Sequence, residues 1–209
     1  MVQCDFDGTV TIGDLSFQIL DEYTTVPWRD WFDDFRHGKI TVIDYNAKAF
    51  SYVQASREEL DSFAREHVIL RPGLTSLIDT CHEHDIRFFF VSNGMTFYIE
   101  SVLDMLSIEG IEYAAAQCTF LPSGIKAIYY DAYGKAVNSG FKESFTKKFK
   151  EEGYRIAYIG NGLSDFNSAS MCDYVFGIES LAAECNKHNV PFKSFDDLSE
   201  VAAELIKLA

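Results

Sequence analysis

The sequence predicts an α/β fold: a parallel sheet core interrupted by an all-helical insertion. Three observations carry this. Short apolar runs alternate with amphipathic helical patterns through most of the 209 residues, as expected when helices cover the faces of a parallel sheet. Residues 14–70 break the alternation with consecutive helical patterns and no strand. The length suits one core domain carrying an insertion. The core is therefore expected at residues 1–13 and 71–209, with a helical cap at 14–70.

A short strand, Val2 to Cys4, opens the chain and runs straight into Asp5-Phe6-Asp7-Gly8-Thr9. Helices follow over Asp14 to Tyr23, Trp28 to Phe35, Thr41 to Val53 and Arg57 to His67. The last starts with Ser56-Arg57-Glu58-Glu59, a capping box in which each end group satisfies the other's orphan amide. Its apolar face is Leu60, Phe63 and Ala64. Pro72-Gly73 introduces a helix carrying Leu74, Leu77, Ile78 and Cys81 at helical spacing. The strand Arg87 to Val91 comes next. Gln117 to Leu121 and Ile125 to Tyr130 flank Pro122-Ser123-Gly124, which predicts a β-hairpin. The helix Glu143 to Glu152 stops at Gly153 and feeds the strand Arg155 to Ile159. A further strand, Tyr174 to Gly177, leads to a helix over Ser180 to His188. In the final helix, Leu198, Val201, Ala202, Leu205 and Ile206 share one face.

Composition narrows the function classes. Eighteen Lys and Arg stand against 32 Asp and Glu, a net charge of −14. Sequence-independent nucleic-acid binding needs clustered basic residues and is not expected. Asp5 leaves no room for a basic and then apolar leader. The apolar run Ile86 to Val91 is broken by Arg87 and is too short for a bilayer. Five cysteines without Cys-x-x-Cys spacing suit reduced thiols in a cytoplasmic protein. Neither a nucleic acid nor a membrane is an expected partner.

In an open parallel sheet, ligands bind beyond the carboxyl ends of the strands. Asp5 and Asp7 lie there, two residues apart. Two such carboxylates can divide labour, one attacking phosphorus and the other exchanging a proton with the leaving oxygen and then with water. Gly8 lets the backbone curl so that amides form a nest for anionic oxygens. Taken alone, Asp7-Gly8 would be an ordinary solvated turn. Ser92-Asn93-Gly94 offers a hydroxyl and amides after the next strand, and Lys142 puts a cation on the same edge. Gly160-Asn161-Gly162-Leu163-Ser164-Asp165 follows a third strand, and its Asp165 suits a hard divalent cation. Each segment alone has a bland reading; four in order do not. By contrast, Cys81-His82-Glu83-His84 reads as a solvated helix end rather than a zinc site. Trp28, Trp31, Phe32 and Phe35 read mainly as cap interior, part of which could wall the site.

The ordered set resembles the haloacid dehalogenase superfamily, in its magnesium-dependent phosphatase branch with a small helical cap and a Rossmann-like core. Asp5-Phe6-Asp7-Gly8-Thr9 looks like its first motif, Ser92-Asn93-Gly94 its second, Lys142 its third and Gly160 to Asp165 its fourth. The helical block resembles the cap of phosphoserine phosphatase and its relatives. The spelling Cys4 to Thr11, with Asp14 beyond, is similar to the methionine-salvage enol-phosphate phosphatases. The resemblance implies Asp5 as nucleophile and Asp7 as acid/base. It implies Mg2+ on Asp5, the Asp7 carbonyl, Asn161 and Asp165. Phosphate would be held by Ser92, Lys142 and the backbone around Phe6, Gly8, Thr9, Asn93 and Gly94. One departure stands out: Asn161 occupies a place that is usually an Asp, so the metal should be held more weakly. The implied activity is hydrolysis of small phosphorylated metabolites (phosphoserine or enol/sugar-type phosphomonoesters) through an aspartyl-phosphate. A phosphotransferase, or a weakly active binding protein on the same scaffold, are the alternatives.

Overall fold

A computed structural model describes residues 1–208. Strand β1 (Val2–Cys4) lies inside the sheet, with every residue buried. Parallel strands flank it on both sides, β2 (Phe88–Met95) and β6 (Ala157–Gly160). Beyond β2 lies β3 (Glu112–Leu121), then β4 (Gly124–Tyr130) and β5 (Ala136–Val137); beyond β6 lies β7 (Tyr174–Gly177). The sheet order is β5-β4-β3-β2-β1-β6-β7, with only the β3–β4 and β4–β5 pairs antiparallel. This is the α/β class with the expected hairpin at Pro122-Ser123.

Four helices separate β1 from β2: α1 (Leu15–Tyr23), α2 (Trp28–Arg36), α3 (Val42–Phe50) and α4 (Arg57–His67). Local chemistry starts three of them. The Asp14 side chain accepts from the Phe17 amide, and Thr41/Asp44 and Ser56/Glu59 form capping boxes. The chain enters and leaves this block side by side, with Ile12 N donating to Ile69 O at 2.7 Å and Arg71 N to Val10 O at 2.8 Å. After α4 come α5 (Leu74–Glu83), α6 (Thr96–Met105), α7 (Phe141–Glu151), α8 (Phe166–Ala169), α9 (Glu179–His188) and α10 (Leu198–Leu208). Among the described residues no helix is long and apolar enough to cross a membrane.

Three details depart from the periodicity. The second strand does not stop at Val91 but continues through Ser92-Asn93-Gly94 to Met95, because Met95 pairs with Ala116 of β3 after a register shift. Helix α3 ends at Phe50, three residues early, in turns closed by Tyr52 N to Ala49 O and Val53 N to Phe50 O. Of the aromatic set in α2, only Trp28 is fully interior; Phe32 and Phe35 are half-buried and face a cleft.

Packing fixes the parts that carry the site. Phe6 and Phe90 meet edge to face at 5.5 Å between centroids, both fully buried. Burial of side chains this size contributes on the order of 2 kcal/mol each. Gln3, polar in the middle of β1, is satisfied by α7: Thr146 donates to its Oε1 at 2.8 Å and its Nε2 donates to Lys142 O at 3.3 Å. The hairpin tip rests on the end of α3. Gly124 sits at φ +136°, and a Cβ there would overlap the Ser51 carbonyl.

Candidate active site

Asp5 follows the last residue of β1, its amide donating to Ile159 O at 2.9 Å. The chain then coils tightly, with the amides of Thr9, Val10 and Thr11 all directed at Phe6 O. Gly8 turns at φ +74°, a conformation that costs a side-chain-bearing residue steric strain. Arg71 braces the coil from outside, donating to Thr9 O at 2.7 Å and Gly8 O at 2.9 Å. The amides of Gly8 and Thr9 are consumed inside this coil, whereas those of Phe6 and Asp7 have no backbone acceptor among the described residues.

Lys142, in the first turn of α7, is 2 % exposed. Its Nζ donates to Asp5 Oδ1 and to Asp165 Oδ1, each at 2.6 Å. Burial alone would lower its pKa, but the charges of Asp165 and Asp5 raise it, so the ammonium persists. Burial and the Asp165 charge push the Asp5 carboxyl up to about 7, against the pull of Lys142. Asp165 lies fully buried behind the lysine. Tyr158 donates to its Oδ1 at 2.7 Å, and the amides of Asn161 and Gly162 donate to its Oδ2 at 3.1 and 2.8 Å. Both oxygens are thus engaged, so Asp165 anchors Lys142 and the 160–162 loop here, rather than turning a free oxygen to a cation as the resemblance implied.

Asp7 is gripped on both oxygens. Leu15 N donates to Oδ1 at 3.0 Å and the Tyr98 hydroxyl to Oδ2 at 2.5 Å. Burial, then the neighbouring Asp14 charge, raises its carboxyl well above the usual range, which favours the protonated form. Ser92, 1 % exposed, accepts from Gly94 N at 3.0 Å. Asn46 Nδ2 donates to Asn93 O at 2.7 Å, and the Tyr129 hydroxyl donates to the same carbonyl.

One cleft of about 590 Å³ is lined by Asp5, Asp7, Gly8, Ser92, Asn93, Gly94, Lys142 and Asn161. Three other residues predicted for the site, Phe6, Thr9 and Asp165, sit buried behind this lining. The helical block supplies the opposite wall: Asp14, Phe17, Phe32, Phe35, Arg36, Val42, Tyr45 and Asn46. Sequence reasoning missed Tyr98, Tyr158, Asn46, Tyr129 and Glu179. Each reaches the site through the tertiary fold, and none carries a local signal.

A metal here would not find a cage of acidic or imidazole side chains; among the described residues no three His, Cys, Asp or Glu are grouped for one. The available donors are the Asp5 carboxylate, the Asp7 carbonyl and Asn161 Oδ1, which already accepts from Thr9 Oγ1 at 3.1 Å. An all-oxygen set of low charge suits a hydrated magnesium ion. Burial is the main cause that raises the carboxyls of Asp5 and Asp7, and the charges of Asp165 and Asp14 add to it; a cation in the cleft would favour the ionised forms.

Comparisons with known proteins agree with this arrangement. The family model described as haloacid dehalogenase-like hydrolase matches residues 2–170. A 2-hydroxy-3-keto-5-methylthiopentenyl-1-phosphate phosphatase of Lysinibacillus sphaericus is 27% identical, covering 99% of this chain and 95% of its own. The protein of that name from Bacillus pumilus is 24% identical, over 98% and 90%. A solved phospho-aspartyl intermediate analogue of phosphoserine phosphatase superposes with a TM-score of 0.73 at 15% identity, covering 97% of both chains.

Proposed function

The chain belongs to the haloacid dehalogenase-like hydrolase family, and from that membership we propose a magnesium-dependent phosphatase that hydrolyses small phosphorylated metabolites through an aspartyl-phosphate. It is a phosphoric monoester hydrolase. The observation that carries the reading is the division between two acids on one loop. Asp5 is paired with the buried ammonium of Lys142, while Asp7 is held apart with its carboxyl pushed up.

Asp5 attacks phosphorus in line with the ester bond. As that bond breaks, Asp7 passes its proton to the leaving oxygen. Water then attacks the phosphorus of the aspartyl-phosphate, giving its proton to Asp7, and the bond to Asp5 breaks. The Ser92 hydroxyl, Lys142 and the amides of Phe6 and Asp7 hold the phosphoryl oxygens. Asp5, the Asp7 carbonyl and Asn161 would hold a magnesium ion, which when bound would supply charge neutralisation for those oxygens.

The helices of residues 14–70 act as the cap over this cleft. Phe17, Phe32, Phe35 and Val42 give it an apolar wall, and Arg36 adds a cation. Such a wall supports an enol-type phosphomonoester with an apolar tail, as the names of the methylthiopentenyl relatives suggest. Five unpaired thiols support a reducing, cytoplasmic setting.

The test is phosphate release with magnesium from a panel of phosphoserine, sugar, enol and aryl phosphates, for wild type and Asp7→Asn. Release by the wild type is expected, with Asp7→Asn impaired most on esters whose leaving oxygen needs a proton. A wild type inert on every ester, or an Asp7→Asn loss equal for aryl and alkyl esters, defeats the mechanism.

A further inference from the structure

We infer that Tyr98 is a positioning residue for proton transfer at the leaving group, fixing the carboxyl of Asp7 in the orientation from which its proton is passed. The inference rests on the phosphatase reading of the cleft and adds a residue to it.

A terminal carboxyl rotates about a broad, nearly two-fold torsion, so an acid of this kind needs something to set its plane. Tyr98 and Leu15 do so from two different helices. The phenol, on α6, donates to Oδ2 at 2.5 Å, and the first amide of α1 donates to Oδ1 at 3.0 Å. Each carboxyl oxygen offers two acceptor positions. One on each oxygen is taken, and the transferable proton is confined to the remaining ones. Asp7 passes that proton to the leaving oxygen and regains one from water, while Tyr98 keeps its own throughout.

Two features hold the phenol in place. Tyr98 is fully buried, its ring edge-on to Phe97 at 5.2 Å between centroids. Gly94 provides the passage for the hydroxyl, since a Cβ there would overlap the Tyr98 oxygen and stand 2.5 Å from Asp7 Oδ2. The missing side chain of Gly94 thus serves the acid as well as the phosphate.

Tyr98→Phe keeps the ring and removes only the donor. The measurement is kcat/KM, which reports the step that expels the leaving group, for phenyl phosphate and p-nitrophenyl phosphate with saturating magnesium. A loss of about tenfold is expected for the poor leaving group and only about twofold for the good one. That ratio does not depend on how much of the variant is folded. In an Asp7→Asn background the same substitution should change nothing further. Equal losses on both esters, no loss, or an undiminished loss in the Asp7→Asn background each overturn the role of Tyr98 and leave the phosphatase reading intact. A wild type that releases no phosphate from either ester overturns that reading and this inference with it.

Discussion

The side-chain amide of Asn161 donates to the Glu179 carboxylate at 3.0 Å, joining the loop after β6 to the start of α9. Glu179 makes this contact from a left-handed backbone, φ +49°, which is rare for a residue with a side chain. The loop that lacks an acid at 161 therefore has one leaning on it from outside.

Replacing Asn161 by Asp turns that donor into a second carboxylate facing Glu179. Without metal the pair repels, and the melting temperature should fall by a few degrees. With metal the added charge should tighten binding, lowering the magnesium concentration for half-maximal activity by about tenfold. Magnesium titrations of activity and of melting, at one pH, check both arms. An unchanged or rightward-shifted activity curve would mean that position 161 does not face the cation.

Asp5→Asn should abolish phosphate release, because an amide of nearly the same shape is a poor nucleophile. The same change should stabilise the metal-free protein by on the order of 1–2 kcal/mol at pH 8. It removes a buried charge that burial and Asp165 oppose. Phosphate assay and chemical denaturation in chelator are the measurements, and turnover near wild type would rule out the covalent route.

Lys142→Met leaves Asp5 and Asp165 buried without their shared cation. Breaking such a cluster costs about 3–5 kcal/mol when the acids are ionised. The sign with pH follows from the direction of the Asp5 shift. Its carboxyl is raised in the folded protein, so between the unfolded value and about 7 the native state holds the extra proton and stability falls as pH rises. In the variant that decline should be steeper and reach higher pH. Denaturation between pH 5 and 8.5, in chelator, checks it; parallel curves for the two proteins would show that the lysine does not offset these charges.

Gly124→Ala should destabilise by about 2–4 kcal/mol, since it combines a forbidden backbone angle with overlap on a carbonyl that cannot step aside. Calorimetry measures this. A change within experimental error would mean that the hairpin does not rest on Ser51.

The fold was legible because its signals are local. The Val2–Cys4 strand, the capping box at Ser56 and the turn at Pro122-Ser123 announce themselves within a few residues. Asp5, Asp7 and Lys142 were legible for the same reason: the two acids come just after a strand and the lysine opens a helix. The depth of Lys142 was not, because nothing at that position says that Asp5, 137 residues earlier, will meet it. Tyr98 and Glu179 were invisible too, since a buried phenol and a helix-initiating acid look like packing and solvation until the chain closes around them. The end of β2 was misplaced at Val91 because Ser92-Asn93-Gly94 has turn chemistry, which pairing with β3 overrides.

The Asn93 carbonyl gathers groups from Asn46, 47 residues before it, and Tyr129, 36 residues after it. Local structure alone supplies neither donor; each arrives only when a long loop has closed. During refolding, then, affinity for phosphate should lag behind secondary structure and arrive with the last long-range contacts. A partly folded chain would carry helices and strands in near-native amount and still be unable to bind an anion.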